Sequence, residues 1–196
     1  MPVDLVPLIF GLAFVAATAA RSLWLRVSTG FNPYVVNHQD PLLGFLAQVF
    51  AAIAMSLLAY FAAMFFWPGF EAKVGMLNWM KTDATQTASM AIMSAMIIWT
   101  SYAQFAMGNS WRIGIPDQAQ PLRTDGPFST SRNPIFLGML VFVAGMTLWS
   151  PSAVTLTLLA SSYIALEVQI RCEEAFLERN LGQPYKDYCA RVRRWI

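Results

Sequence analysis

Four apolar blocks, roughly Leu5 to Leu25, Leu42 to Trp67, Ala88 to Met107 and Ile135 to Ile170, alternate with shorter polar stretches along the chain. A bilayer crossing needs about 20 mainly apolar residues, so the first three blocks predict one helix each, while the fourth is too long for one. Ser150-Pro151-Ser152 interrupts it near its middle. Proline there removes a backbone donor and clashes with the preceding turn, which predicts a sharp reversal. Beyond Ile170 the helical pattern continues, with Glu167 four residues ahead of Arg171 in the favourable orientation. The expected fold is all-α and integral to the membrane. It has five transmembrane helices, the last two forming a C-terminal hairpin, and a cytoplasmic helical tail.

Composition agrees with a bilayer as solvent, since 57% of the residues are hydrophobic and only 12% are charged. No basic residue precedes the first block, so it reads as a retained span and not as a signal peptide. The basic residues test the topology, because Lys and Arg collect on the cytoplasmic side. With the N-terminus outside, Arg21, Arg26, Arg112, Arg123, Arg132, Arg171, Arg179, Lys186, Arg191, Arg193 and Arg194 fall inside, leaving only Lys73 and Lys81 outside. A formal net charge of +2 gives no argument for nucleic acid. The basic end, Arg191-Val192-Arg193-Arg194, suits anionic headgroups.

Metal chemistry and a Ser-His-Asp arrangement find no support, because His38 is the only histidine and stands alone in a turn-rich loop. Cys172 and Cys189 have no metal-ligand spacing and read as reduced thiols. No Gly-x-Gly element follows a strand, which excludes a Rossmann-type nucleotide site. The stretch from Gly108 to Pro134 is long for a connection yet rich in aromatic, basic and amide residues, the mark of a functional loop. Trp111 in it fits an interfacial anchor, and Arg112 alternatively meets an acidic group on a substrate. Gly138, Ala144, Gly145 and Ser152 are small enough to let hairpin helices approach closely. The methionines read as core filler.

Three elements of the C-terminal third stand in a meaningful order: Arg132-Asn133-Pro134-Ile135-Phe136, the pair Glu173-Glu174, and Leu181-Gly182-Gln183-Pro184-Tyr185-Lys186-Asp187-Tyr188 before a basic end. In order and spacing they resemble the integral-membrane methyltransferases that include isoprenylcysteine carboxyl methyltransferase and phosphatidylethanolamine N-methyltransferase. That family carries Arg-His-Pro-x-Tyr, Glu-Glu and Phe-Gly-x-x-Tyr-x-x-Tyr elements. Asn133, Phe136 and Leu181 replace its histidine, tyrosine and phenylalanine. Asparagine still donates and accepts hydrogen bonds but does not titrate near neutral pH, so a histidine base is absent.

The resemblance implies S-adenosylmethionine as cofactor, contacted by Gln120, Pro121, Leu122, Arg123, Phe128, Asn133, Pro134, Ile135, Phe136 and Glu173. Glu173 suits the cofactor's ammonium, and aromatic faces from Phe128 or Phe136 suit its sulfonium. It implies Glu174, Arg132 and Asn133 as catalytic residues, and Arg112, Trp111 and Gln169 beside the acceptor. The chain is then one domain, 1–196. Residues 1–107 supply three spans, and 108–196 supply the cofactor loop, helical hairpin and catalytic tail.

The expected activity is methyl transfer to a lipid-like or small hydrophobic acceptor, drawn from the bilayer while the cofactor enters from the cytoplasm. An isoprenylcysteine-type carboxyl, which arrives ionised, asks least of a site without histidine. A phospholipid amine or a thiol is the alternative within the class, and a non-enzymatic membrane transporter or assembly protein the alternative outside it.

Overall fold

The computed structural model describes residues 5–30, 32–33, 41–115 and 121–196, and within them every regular element is helical. Six α-helices follow in order: α1 Val6–Thr29, α2 Pro41–Phe66, α3 Asp83–Ala106, α4 Pro134–Trp149, α5 Ala153–Leu181 and α6 Gln183–Arg191. His38 and Gln120 lie outside the described residues.

Helices α1, α2 and α5 are long and apolar enough to cross a membrane. The other two predicted spans depart from that standard in different ways. Helix α3 has 24 residues, but polar residues dilute its hydropathy. Two of them find partners inside the protein: Ser89 Oγ donates to the Gly145 carbonyl at 2.6 Å and Gln104 Nε2 to Thr18 Oγ1 at 3.2 Å. Helix α4 is strongly apolar but has 16 residues, about 24 Å of rise against a hydrocarbon core of about 30 Å.

The predicted reversal is present. Helix α4 stops at Trp149 and α5 begins at Ala153, with Ser152 accepting from the Thr155 N–H at 3.2 Å as N-cap and Thr155 Oγ1 accepting from the Ser152 N–H at 3.1 Å. The turn is pinned from outside as well. Leu77 N–H donates to the Pro151 carbonyl at 2.8 Å and Ala153 N–H to the Gly75 carbonyl at 3.2 Å. Tyr60 of α2 places its hydroxyl 2.8 Å from Ser150 Oγ and 3.0 Å from Ser152 Oγ. Buried hydroxyls satisfied in this way hold the hairpin at one angle to α2.

Helix α3 makes its main packing against α4, which also packs on α5; α2 lies on α5, and α1 crosses α3 and α2. The α3–α4 crossing is close because α4 offers glycines. A Cβ at Gly138 would collide with Thr100 Oγ1, and one at Gly145 would lie 3.0 Å from Met93 Cγ. The main core is built at the α2 C-terminal end from Leu57, Tyr60, Phe61, Met64, Met93, Phe142, Met146 and Trp149, with three methionines filling it as expected. At the other end Leu25, Ala103, Trp111, Phe128 and Ile135 form a second cluster. Cys172 and Cys189 are not joined by a disulfide.

Candidate functional site

The C-terminal ends of α1, α3 and α5 and the N-terminal end of α4 meet at one end of the bundle, and the last residues of the chain fold back onto it. Pro134 starts α4, where its missing N–H is no loss. Asn133 before it is buried, and its Nδ2 does not cap the helix but donates to the Arg194 carbonyl at 3.1 Å. Arg132 N–H donates to the Arg193 carbonyl at 2.9 Å, and Ser131 Oγ to the Arg194 carbonyl at 3.4 Å. Backbone and side chain of Ser131 to Asn133 thus fasten the tail to the start of α4.

Glu174 closes the same junction from α5. Its Oε1 accepts from Arg132 Nη2 at 2.7 Å and from Arg194 Nε at 3.1 Å, and its Oε2 accepts from Arg194 Nη2 at 2.7 Å. The side chains of Arg132, Glu174 and Arg194 are 14%, 18% and 31% exposed, so these charge-assisted bonds are partly shielded from water. The hydrogen bonds to Glu174 also push the Arg194 guanidinium above its ordinary pKa. Glu167 accepts from Trp195 Nε1 at 3.0 Å and pairs with Arg194 Nη1 at 3.5 Å. The basic end therefore differs from its expected place against headgroups at Arg194, which turns inward because two carboxylates on α5 meet it; Arg191 and Arg193 stay exposed.

Glu173 turns elsewhere, since successive residues on a helix point about 100° apart. Its Oε1 accepts from the buried Gln169 Nε2, one turn back, at 2.8 Å. One carboxyl oxygen is thereby oriented by the protein.

The loop before α4 is tied to α6. Tyr188 donates to the Phe128 carbonyl at 2.6 Å, and burial pushes its phenol up to about 12. Tyr185 beside it is also raised, by burial first and then by Cys189. Leu122 packs on the cluster of Tyr185, Tyr188 and Val192. The 3₁₀ turn Gly126–Ser129 carries Phe128 into the apolar cluster with Trp111 and Ile135.

Of the residues expected from sequence, Arg132, Asn133 and Glu174 come together, as do Glu173 and Gln169. Phe128, Ile135 and Trp111 share one apolar cluster, Pro134 is buried and Phe136 is half-buried. Trp111 is 6% exposed with its Nε1 donating to Ser22 Oγ at 3.3 Å, a core position and not an interfacial one. Arg112 donates through Nε to the Ser110 carbonyl at 3.0 Å, while Pro121 and Arg123 are exposed. Ser131, Glu167, Tyr188, Arg194 and Trp195 complete the junction and were absent from the expected set. The Tyr185-x-x-Tyr188 spacing and the basic end were the signals that pointed to them. An open cleft of about 550 Å³, lined by Met64, Trp67, Glu71, Lys81 and Gln86, lies at the opposite end of the bundle.

No curated protein matches the chain. A family model described as phospholipid methyltransferase matches residues 84–184, from the first turn of α3 through the α4–α5 hairpin to the start of α6. That match spans more than half of the sequence and contains Arg132, Asn133, Glu173 and Glu174, so the chain belongs to the phospholipid methyltransferase family.

Proposed function

We propose that this protein is a membrane-embedded S-adenosylmethionine-dependent methyltransferase acting on a lipid-like acceptor, with a phospholipid amine as the leading substrate class. The observation that carries the proposal is the meeting of the family-matched stretch with the tail: Arg132, Asn133 and Glu174 converge with Arg194 at one end of the bundle. In the same reading α3 and α4 cross the membrane with α1, α2 and α5, as one domain, with the N-terminus outside and the site cytoplasmic. The concentration of arginines at the site end supports that orientation.

The residues present fit the cofactor. Glu173, with one oxygen oriented by Gln169, offers the other to its ammonium, and Phe136 and Phe128 are aromatic residues suited to its sulfonium. Pro121, Leu122, Arg123, Pro134 and Ile135 supply the surrounding loop and first turn of α4. When bound, S-adenosylmethionine supplies an electrophilic methyl carbon on a sulfonium. The chain's part is to align the acceptor and exclude water, which together are worth about 7–11 kcal/mol of barrier. Both oxygens of Glu174 are engaged by guanidinium groups, so we assign it, with Arg132 and Arg194, to holding the tail over the site. Asn133 has the same positioning role through the Arg194 carbonyl.

Among the described residues of this arrangement Glu174 is held by guanidinium groups and no histidine stands by, so a phospholipid ammonium has to lose its proton to solvent before it attacks, whereas a carboxylate arrives nucleophilic. Asn133 in place of a histidine favours one second reading, an isoprenylcysteine-type carboxylate. Calorimetric titration of the purified protein in detergent with S-adenosylmethionine and its demethylated product tests the reading. Saturable binding that Glu173→Ala abolishes, with the fold intact, is expected. A folded protein that binds neither ligand would overturn it, and labelled methyl transfer to phosphatidylethanolamine or to a prenylated cysteine then separates the acceptors.

A further inference from the structure

Arg21 lies within α1, eight residues and about 12 Å of helix rise before the end at Thr29. It is 3% exposed. A guanidinium has five N–H donors, yet this one makes a single hydrogen bond, from Nη2 to the Gly108 carbonyl at 2.7 Å, and its Nε and Nη1 are buried without a partner. No carboxylate pairs with it among the described residues. A charged group without a counter-charge inside a membrane protein is costly and marks a binding position.

What covers Arg21 is thin. The rings of Trp24 and Phe105 each lie 4.9 Å from its Cζ, one from α1 and one from α3. Both rings are more than half exposed on their outer faces, at 55% and 58%, and their centroids are 6.4 Å apart. An arginine serving only as a positive-inside anchor extends its head to water; this one is held under two aromatic rings on the outside of the bundle. The α1–α3 seam carries further unmatched polarity, since Gln104 Oε1 also lacks a partner.

The seam adjoins the proposed cofactor loop through Gly108. That residue has φ of +57°, and a Cβ there would lie 3.3 Å from Arg123 Nη2. Two guanidinium groups thus approach one turn: Arg21 at its carbonyl and Arg123 over its Cα. Glycine is needed at that position for both the left-handed backbone and the close approach.

We propose that Arg21 is the anion-binding residue of a lipid-headgroup subsite between α1 and α3, taking the phosphodiester of a phospholipid once the exposed rings of Trp24 and Phe105 swing aside. The inference deepens the proposed methyltransferase reading and rests on it only for the identity of the bound lipid as acceptor. One Nη2 hydrogen holds the Gly108 carbonyl, and the other forms a parallel fork with the hydrogen of an unpartnered neighbour, Nε or Nη1; that fork matches adjacent phosphate oxygens, and the positive charge meets the phosphate's negative one. With the phosphate held at Arg21, the headgroup lies beside the Gly108 turn, where the proposed cofactor loop begins.

The test is equilibrium dialysis of the full chain in a phosphate-free detergent, using labelled dihexanoylphosphatidylethanolamine, dihexanoylglycerol as the phosphate-free analogue, and S-farnesylcysteine as the carboxylate source. Arg21→Gln is expected to weaken the phospholipid by about tenfold or more while leaving dihexanoylglycerol unchanged, and Arg21→Lys to restore part of the affinity because it keeps the charge but loses the fork. Equal affinity of wild type and Arg21→Gln for the phospholipid would overturn the assignment. So would a loss confined to S-farnesylcysteine, which would make the ligand a carboxylate. If Arg21→Gln fails to fold, the comparison between wild type and Arg21→Lys decides. Binding of S-adenosylmethionine, measured in parallel, separates the two ideas: its absence from wild type strikes the methyltransferase reading, whereas its persistence without phospholipid discrimination strikes the subsite alone.

Discussion

Arg194→Ala tests most directly whether the tail is docked by its charges. Arg194 meets both oxygens of Glu174, at 3.1 and 2.7 Å, while Arg132 holds one of them at 2.7 Å. Exposed ion pairs contribute about 0–1 kcal/mol, and removing one partner of a fully buried pair costs about 3–5 kcal/mol. With side-chain exposures of 14%, 18% and 31% the cluster lies between those limits. Arg132 still neutralises Glu174 in the variant, which keeps the cost below the buried extreme, and hydrogen bonds to charged groups are worth about 1.5–3 kcal/mol. The expected weakening of tail docking is about 2–3 kcal/mol, a factor of roughly 30 to 160. Amide hydrogen exchange of the detergent-solubilised protein reads it: amides of α6 and of 192–195 should exchange faster by that factor, with α2 to α4 unchanged. A double-mutant cycle with Glu174→Gln should show coupling of about 0.5–3 kcal/mol between the two positions. Protection of α6 within about twofold of wild type would mean that Tyr185, Tyr188 and Val192 hold the tail by apolar burial alone, and would refute the electrostatic argument.

Gly138→Ala should lower the melting temperature in detergent, at a cost of about 1–3 kcal/mol or more, because the new methyl group collides with Thr100 across the α3–α4 crossing. Gly44→Ala, with nothing within 4 Å of the added carbon, should leave it unchanged or raise stability by about 0.4–1 kcal/mol; a shared direction for the two would show that the close approach is not the cause. Tyr60→Phe removes the hydroxyl that meets Ser150 and Ser152, and should cost about 1–2 kcal/mol in thermal unfolding without altering helix content by circular dichroism. Tyr188, held protonated up to about 12 against an ordinary 10.0, adds stability that is complete below its unfolded pKa. That stability is lost as pH rises from about 10 through 12, since the unfolded chain deprotonates first. Tail protection should therefore be flat through neutral pH and fall in that window. A Tyr188→Phe protein should show a shallower fall, with Tyr185 contributing what remains; identical slopes would remove Tyr188 from the linkage.

Much of the site was legible because its residues are of types that a membrane protein uses sparingly. Arg132-Asn133-Pro134 stands at the start of an apolar run and Glu173-Glu174 at the end of one, so one-dimensional order was enough to bring the elements to the same end of a hairpin. Their partners were not legible. Glu173 and Glu174 are adjacent, and only the helix phase sends one to Gln169 and the other to Arg132 and Arg194. Trp111 has the composition of an interfacial anchor, yet Ser22 on α1 receives its indole N–H in the core. Arg21 read as one more inside-facing cation, and only the crossing of α1 with α3 leaves it covered and unpaired.

Hydrophobic patterning by itself determined the all-helical architecture and the reversal at Ser150-Pro151-Ser152, because apolar length and proline chemistry act locally and need no partner. The tertiary structure alone decided which polar atoms meet across the bundle. Ser89 and the Gln104 amide of α3 find partners on α4 and α1, and α4 packs so closely on α3 because Gly138 and Gly145 leave no side chain between them. Hydrogen bonds and ion pairs between residues distant in sequence depend on helix phase and crossing geometry, and neither is encoded in any one segment.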